Sequence, residues 1–304
     1  MKFKVFSKIR FFFLIYSVMI FSACHDSDKI EPEYGERTVL IYMAADNNLN
    51  KDGETNIKSI LKGMEQTAGR LVIYIDPRYD VPRLLTVKGG KGCRLDTLET
   101  YTEENSASPE VLARGVKEVQ KRYPASSYGL VLWSHGLGWV PPEYSFPGGY
   151  AMRLPDPDMP RTKYYAEDEH PGTTGKAYMD IREMAARLPG HFNFILWDVC
   201  FMGGIEVAYE LRNKTDYMIA SPAEVISDGF PYEKIVPLFW GGEEAMKQIC
   251  REYYNHYNKY PVNSLWRSAV VGLVKTEELE PLAAKVRTLL AGKTDYARAW
   301  HYPL

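Results

Sequence analysis

Six short apolar runs rich in β-branched residues recur along this chain, with stretches long enough for a helix between most of them. They are Thr38-Val39-Leu40-Ile41-Tyr42-Met43-Ala44, Leu71-Val72-Ile73-Tyr74-Ile75, Leu130-Val131-Leu132-Trp133, Phe192-Asn193-Phe194-Ile195-Leu196-Trp197, Tyr217-Met218-Ile219-Ala220 and Ala269-Val270-Val271-Gly272-Leu273. The runs are continuous rather than alternating, as suits strands covered on both faces in a parallel sheet. Arg83 to Val87 adds a short strand beside the second. Helices are expected near 53–65, 109–122, 180–188, 203–213, 243–258 and 276–291. Ser108-Pro109-Glu110 places a cap, a first-turn proline and an acid at one helix start. Strand-then-helix alternation predicts an α/β fold: a doubly wound three-layer α/β/α sandwich around a mostly parallel sheet.

Two regions depart from this rhythm. Residues 1–23 carry Lys2, Lys4, Lys8 and Arg10, then thirteen uncharged residues, 11–23. A basic start and a short apolar stretch read as a secretory signal, too short to span a bilayer comfortably. Small residues lead into Cys24, as in a bacterial lipobox, so Cys24 is the expected lipidation site and residues 24–36 a polar tether. The domain proper is 37–304. This places the protein outside the cytosol, lipid-anchored to a bacterial membrane on its periplasmic or cell-surface face. Removing the signal takes away four positive charges and no negative one, and the formal charge moves from −2 to −6. That argues against a nucleic-acid partner. The second departure is 139–177, a long loop with seven of the nineteen prolines and no apolar periodicity. A connection of that length inside a compact domain is usually functional or disordered.

The residues flanking this loop carry chemistry. Before it, a strand ends Leu132-Trp133-Ser134-His135-Gly136. After it, a strand ends Leu196-Trp197-Asp198-Val199-Cys200, leading through Phe201-Met202-Gly203-Gly204 into a helix. Both reactive side chains fall just past the C-terminal ends of buried strands, where ligands bind in open α/β sheets. A thiolate is favoured by a positive neighbour or a helix N-terminus, and a nearby His supplies the acid–base partner. Gly136 lets the backbone approach a substrate, and its N–H suits an oxyanion.

These words resemble the clostripain family (C11) of caspase-like, clan CD cysteine peptidases. The resemblance rests on Val39-Leu40-Ile41-Tyr42-Met43-Ala44-Ala45-Asp46-Asn47-Asn48-Leu49, Trp133-Ser134-His135-Gly136 and Asp198-Val199-Cys200-Phe201-Met202-Gly203. Further blocks are Glu206-Val207-Ala208-Tyr209-Glu210-Leu211, Ala220-Ser221-Pro222-Ala223-Glu224 and Gly229-Phe230-Pro231-Tyr232. It implies Cys200 as nucleophile, His135 as partner, and the backbone N–H groups of Gly136 and Cys200 as the oxyanion site. It implies cleavage after Arg or Lys, with Asp198 and, second, Asp228 as the substrate-binding acids. It also implies calcium dependence and internal cleavage. The loop acids Asp156, Asp158, Glu167, Asp168 and Glu169 lack EF-hand spacing, so no metal site is assigned. Arg153, Arg161, Lys163 and Lys176 are the expected self-cleavage positions. The partner is a peptide or protein substrate, and the protein is expected as a monomer.

Other signals fail. Gly172-Thr173-Thr174-Gly175-Lys176 lacks phosphate-loop spacing and follows no strand. There is no G-x-S-x-G elbow and no H-E-x-x-H. Cys93 and Cys250 are left as structural thiols or a disulfide. The rival reading is a surface lipoprotein that keeps the fold but binds peptide or glycan without turnover. The stop at His301-Tyr302-Pro303-Leu304, where family members commonly continue, favours that rival.

Overall fold

A computed structural model describes residues 37–136, 138, 166–169 and 177–291. The expected leader, Cys24, the tether, most of the 139–177 loop and the four expected self-cleavage positions lie outside them. Among the described residues no helix is long and apolar enough to cross a membrane.

Eight strands form one sheet in the order β4-β3-β2-β1-β5-β6-β7-β8. The strands are β1 Arg37–Ala45, β2 Arg70–Pro77, β3 Arg83–Lys88, β4 Leu95–Thr100, β5 Ser127–Trp133, β6 Phe192–Asp198, β7 Thr215–Ala220 and β8 Gly272–Lys275. β2, β1, β5, β6 and β7 run parallel, while β3, β4 and β8 join as antiparallel neighbours. The chain order reverses between β1 and β5, so their C-terminal ends border the switch point where ligands bind.

Strand alternation splits each run between two cores. Val39, Ile41, Met43 and Ala45 of β1 face one side, with Phe194 and Leu196 of β6. There α1 Asn50–Met64, α5 Tyr232–Ile235 and α6 Glu243–Asn258 cover them. Leu40, Tyr42 and Ala44 face the other side with Ile195 and Trp197, under α2 Pro109–Arg122, α3 Ile181–Arg187 and α4 Ile205–Glu210. This double coverage explains the unbroken apolar runs. The last helix, α7 Leu279–Leu290, buries Leu279 but exposes Leu282, Val286, Leu289 and Leu290.

The sandwich expectation holds, with three local differences. The run at 269–273 pairs later, at Gly272–Lys275, as an antiparallel edge. β4 reads LDTLET, an edge strand with Asp96 and Glu99 exposed, and charge on an edge discourages pairing with other chains. Helix α5 and the 3₁₀ turn Val236–Trp240 surround Pro231 and Pro237, which hide any helical period. Cys93 and Cys250 are not joined. The Cys93 thiol donates to the Leu61 carbonyl at 3.1 Å, and burial pushes the Cys250 thiol up to about 11.

Candidate active site

β5 and β6 are parallel neighbours with Trp133 opposite Asp198. His135 and Cys200 each lie two residues further on, at matching positions past adjacent strand ends. Neighbouring strands run about 4.8 Å apart, so the sheet sets the two positions past adjacent strand ends. Both are buried: His135 is 3% exposed and Cys200 0%.

Cys200 sits on a tight, fastened turn. Phe201 adopts φ +62°, a left-handed conformation that costs a non-glycine residue energy and needs surrounding structure to hold it. The N–H of Phe201 donates to the Ala223 carbonyl at 3.0 Å, and that of Gly203 to Ser221 at 2.7 Å. A Cβ on Gly203 would lie 2.5 Å from the Pro222 nitrogen, so only glycine lets the two loops approach this closely. From the His side, Gly138 at φ +69° packs against Phe201. The helix expected at 203–213 runs only from Ile205 to Glu210, six residues, and the turn after Cys200 stands between it and the sulfur. The donor at the sulfur is instead the Val225 N–H, 3.2 Å from Sγ. An N–H aimed at sulfur favours negative charge there. Val225 follows the Ser221-Pro222-Ala223-Glu224 block but carries no side-chain chemistry, so no motif marks it.

The imidazole is held from the β1 side. His135 Nε2 lies 2.6 Å from Asn48 Oδ1. An amide oxygen accepts, so in this contact Nε2 is the protonated nitrogen. Asn48 belongs to the Ala44-Ala45-Asp46-Asn47-Asn48 block, yet nothing in the sequence gave it a role. Its neighbour Asn47 is buried and fixes the corner. Its amide donates to the Ala44 and Glu167 carbonyls at 3.0 and 2.7 Å, and its oxygen accepts from the Leu49 N–H at 2.9 Å. Ser134 Oγ adds a bond to the Ala44 carbonyl at 2.8 Å.

Asp198 ends β6 fully buried. Its Oδ2 accepts from the Tyr232 hydroxyl at 2.9 Å and the Phe230 N–H at 3.4 Å. Beneath lie Tyr253 and Tyr257, and Tyr257 donates to the Gly229 carbonyl at 2.6 Å. Burial and Asp198 together push the Tyr232 phenol far up, which keeps it a donor. Asp228 instead is exposed, on the turn whose carbonyl accepts from Asn56 at 3.1 Å. The buried turn at Gly136 follows His135 directly.

A calcium ion takes six to eight oxygen ligands. Asp156 and Asp158 lie outside the described residues. The Glu169 carboxylate pairs with Arg78, and the Asp168 carboxylate accepts from the Ser106 N–H at 2.6 Å and hydroxyl at 3.1 Å. Among the described residues no group of three or more Asp, Glu, His or Cys side chains is arranged to hold a metal ion, the buried Asp46, Asp76 and Asp168 carboxylates included. The described donors do not fit a calcium site, and no step below uses one.

A helix-flanked, largely parallel sheet with its thiol and imidazole on neighbouring strand ends defines the caspase-like class of α/β/α proteins. The sequence profile of the clostripain family (C11 peptidases) matches residues 41–298, and the chain belongs to that family. Clostripain of Hathewaya histolytica is 26% identical over 228 residues, covering 65% of this chain and 41% of clostripain. The chain thus spans about two fifths of that relative's length. A secreted C11 cysteine protease of Bacteroides thetaiotaomicron, solved with an irreversible peptide inhibitor, matches with TM-score 0.70 and 32% identity, covering 84% of this chain and 71% of that one. An inactive zymogen C11 protease of Parabacteroides distasonis matches with TM-score 0.70 and 36% identity, over 87% and 69% of the two chains.

Proposed function

We propose that this protein is a cysteine endopeptidase in which Cys200 is the nucleophile and His135 its acid–base partner. The observation that carries the reading is their matched placement past adjacent ends of β5 and β6. The thiol proton passes to His135 Nδ1, and Sγ adds to the substrate carbonyl carbon. The N–H groups of Gly136 and Cys200 receive the oxyanion. Collapse breaks the C–N bond, and the leaving amine takes the proton from His135. Water activated by the same imidazole then hydrolyses the thioester and frees Cys200. Asn48 holds the ring in the tautomer this sequence of transfers requires.

Cleavage after Arg or Lys is part of the proposal. A cation entering a closed pocket needs a paired carboxylate, and Asp198 lies two residues before the nucleophile, with Asp228, on an exposed turn, as the second candidate. The substrates are peptides or proteins met outside the cytosol, with the protein held to the membrane through Cys24. The test is turnover of fluorogenic peptides ending in Arg, Lys or Asp. Hydrolysis after Arg and Lys supports the reading. Turnover that prefers Asp removes the specificity proposal, and tight binding without turnover of any peptide favours the non-enzymatic rival.

A further inference from the structure

Beside the His135 corner lies a buried acidic cluster that the reaction does not use. Asp46 follows β1, Asp76 lies in β2, and Asp168 belongs to the four described residues 166–169 of the long connection. They are 1%, 0% and 0% exposed. Both carboxylate oxygens of Asp46, both of Asp76 and Oδ1 of Asp168 have no hydrogen-bond partner among the described residues. Asp46 and Asp168 lie within hydrogen-bonding reach of each other if one of them carries a proton. Buried carboxylates in this state must be paired or protonated. The charged groups around Asp46 are Asp168, Glu103 and Arg78, and Arg78 is already paired with Glu169. Around Asp76 are Asp168, Glu103, Asp46 and the Ser106 hydroxyl, which gives its bond to Asp168.

The cluster fastens a segment. The Glu169 N–H donates to the Asp46 carbonyl at 2.7 Å, and Asn47 donates to the Glu167 carbonyl. Asp168 and Ala177 form a two-bond antiparallel bridge. Ala166 enters with φ +38°, a conformation strained for a non-glycine residue. Two residues past Asp46 stands Asn48, the partner of His135.

We propose that Asp46 and Asp168 clasp segment 166–169 onto the end of β1 through a shared proton, and that the closed clasp positions Asn48 and thereby His135. The second half rests on the peptidase reading; the first does not. Asp46 and Asp168 are positioning residues. Burial, reinforced by Asp168 and Glu103, pushes the Asp46 carboxyl up to about 7. Burial likewise pushes Asp76 up to about 8, with Ser106 opposing. The folded form therefore keeps protons that the unfolded chain releases near pH 4. The clasp is firmest in acid, weakens as pH rises above about 4, and is weakest once the closed form has lost its protons near 7 and 8.

Hydrogen–deuterium exchange of the full-length protein, corrected for intrinsic rates, tests it at pH 6 and pH 8.5. The clasp predicts that amide protection in 167–169 falls about tenfold or more at the higher pH, while β1 and β5 stay protected. In Asp46→Asn an amide donates to Asp168 at either pH, and the pH dependence shrinks to the part that Asp76 contributes. If that variant folds poorly, Asp76→Asn serves: it removes a neighbouring charge and moves the midpoint to lower pH. Protection independent of pH in the parent protein overturns the clasp, as does protection that follows added calcium instead. The link to His135 is read separately. Asp46→Asn should lose the alkaline fall in kcat that accompanies segment release, with KM little changed. An unchanged kcat profile beside altered exchange overturns the link alone. A protein that turns over no peptide but shows the exchange transition sinks the peptidase reading and leaves the clasp standing.

Discussion

Asn48 and Val225 are polar partners of the proposed catalytic imidazole and thiol. One accepts from His135 Nε2, and the other donates to Cys200 Sγ. His135→Ala is expected to lower kcat by about 10²–10⁴, measured with a basic fluorogenic peptide. Asn48→Ala should lower kcat by roughly tenfold or more with KM little changed, because the ring loses its fixed tautomer. Asn48→Asp keeps an accepting oxygen and should recover much of the loss; equal loss in both variants would deny Asn48 an orienting role. Asp198→Asn should lower kcat/KM for Arg and Lys peptides far more than for uncharged ones. His135 and Cys200 were legible because reactive side chains past strand ends stand out against apolar runs. Asn48 was visible only as part of a block, since its role depends on β1 and β5 lying side by side. Val225 acts through its backbone, which no side-chain pattern reports. Asp198 is tied to Tyr232 and Phe230, a pairing that joins residues more than thirty positions apart.

At the scale of elements, the strands were read well wherever both faces are buried. β1, β2, β5, β6 and β7 show continuous apolar runs because helices cover the sheet on each side. Edge strands lose that signature: β4 is polar, and β8 shifts by a few residues from its apolar run. Helix α2 was legible to the residue, since Ser108 caps it by accepting from the Glu110 and Val111 N–H groups at 3.2 and 3.5 Å. Ser108→Ala should cost about 1 kcal/mol in urea unfolding and leave peptide turnover unchanged. The turn after Cys200 behaves differently. Gly203→Ala would press a methyl group into backbone atoms of Ser221 and Pro222. A cost of about 1–3 kcal/mol is expected, together with loss of activity as the nucleophile shifts. Full activity in that variant would show that the turn tolerates movement.

For the molecule as a whole, the sheet gathers the chemistry at one edge. The C-terminal ends of β1, β2, β5 and β6 hold Asn48, Asp76, His135 and Cys200 in turn, and the long connection between β5 and β6 returns to that edge at 166–169. The fold class was legible because alternation of strand and helix leaves few alternatives. The burial of Asp46 and Asp76 was not, because an acid at a strand end ordinarily faces solvent and the docking of 166–169 beside Asp46 depends on the fold. The raised Asp76 carboxyl carries a stability consequence. The folded state holds a proton that the unfolded chain has released, so stability should fall between about pH 4 and pH 8 and level off above. Asp76→Asn should be more stable than the parent at pH 9 and little changed near pH 4, as read by urea midpoints. A parent whose midpoint rises across that range would contradict this assignment. The central claim, that Cys200 is a nucleophile activated beside His135, is tested most directly by covalent labelling. The full-length protein is treated with a peptidyl electrophile ending in lysine and mapped by mass spectrometry. One adduct is expected, on Cys200, absent in Cys200→Ala and formed much more slowly in His135→Ala. Labelling at Cys93 or Cys250 with Cys200 untouched, or a rate indifferent to His135, would contradict it.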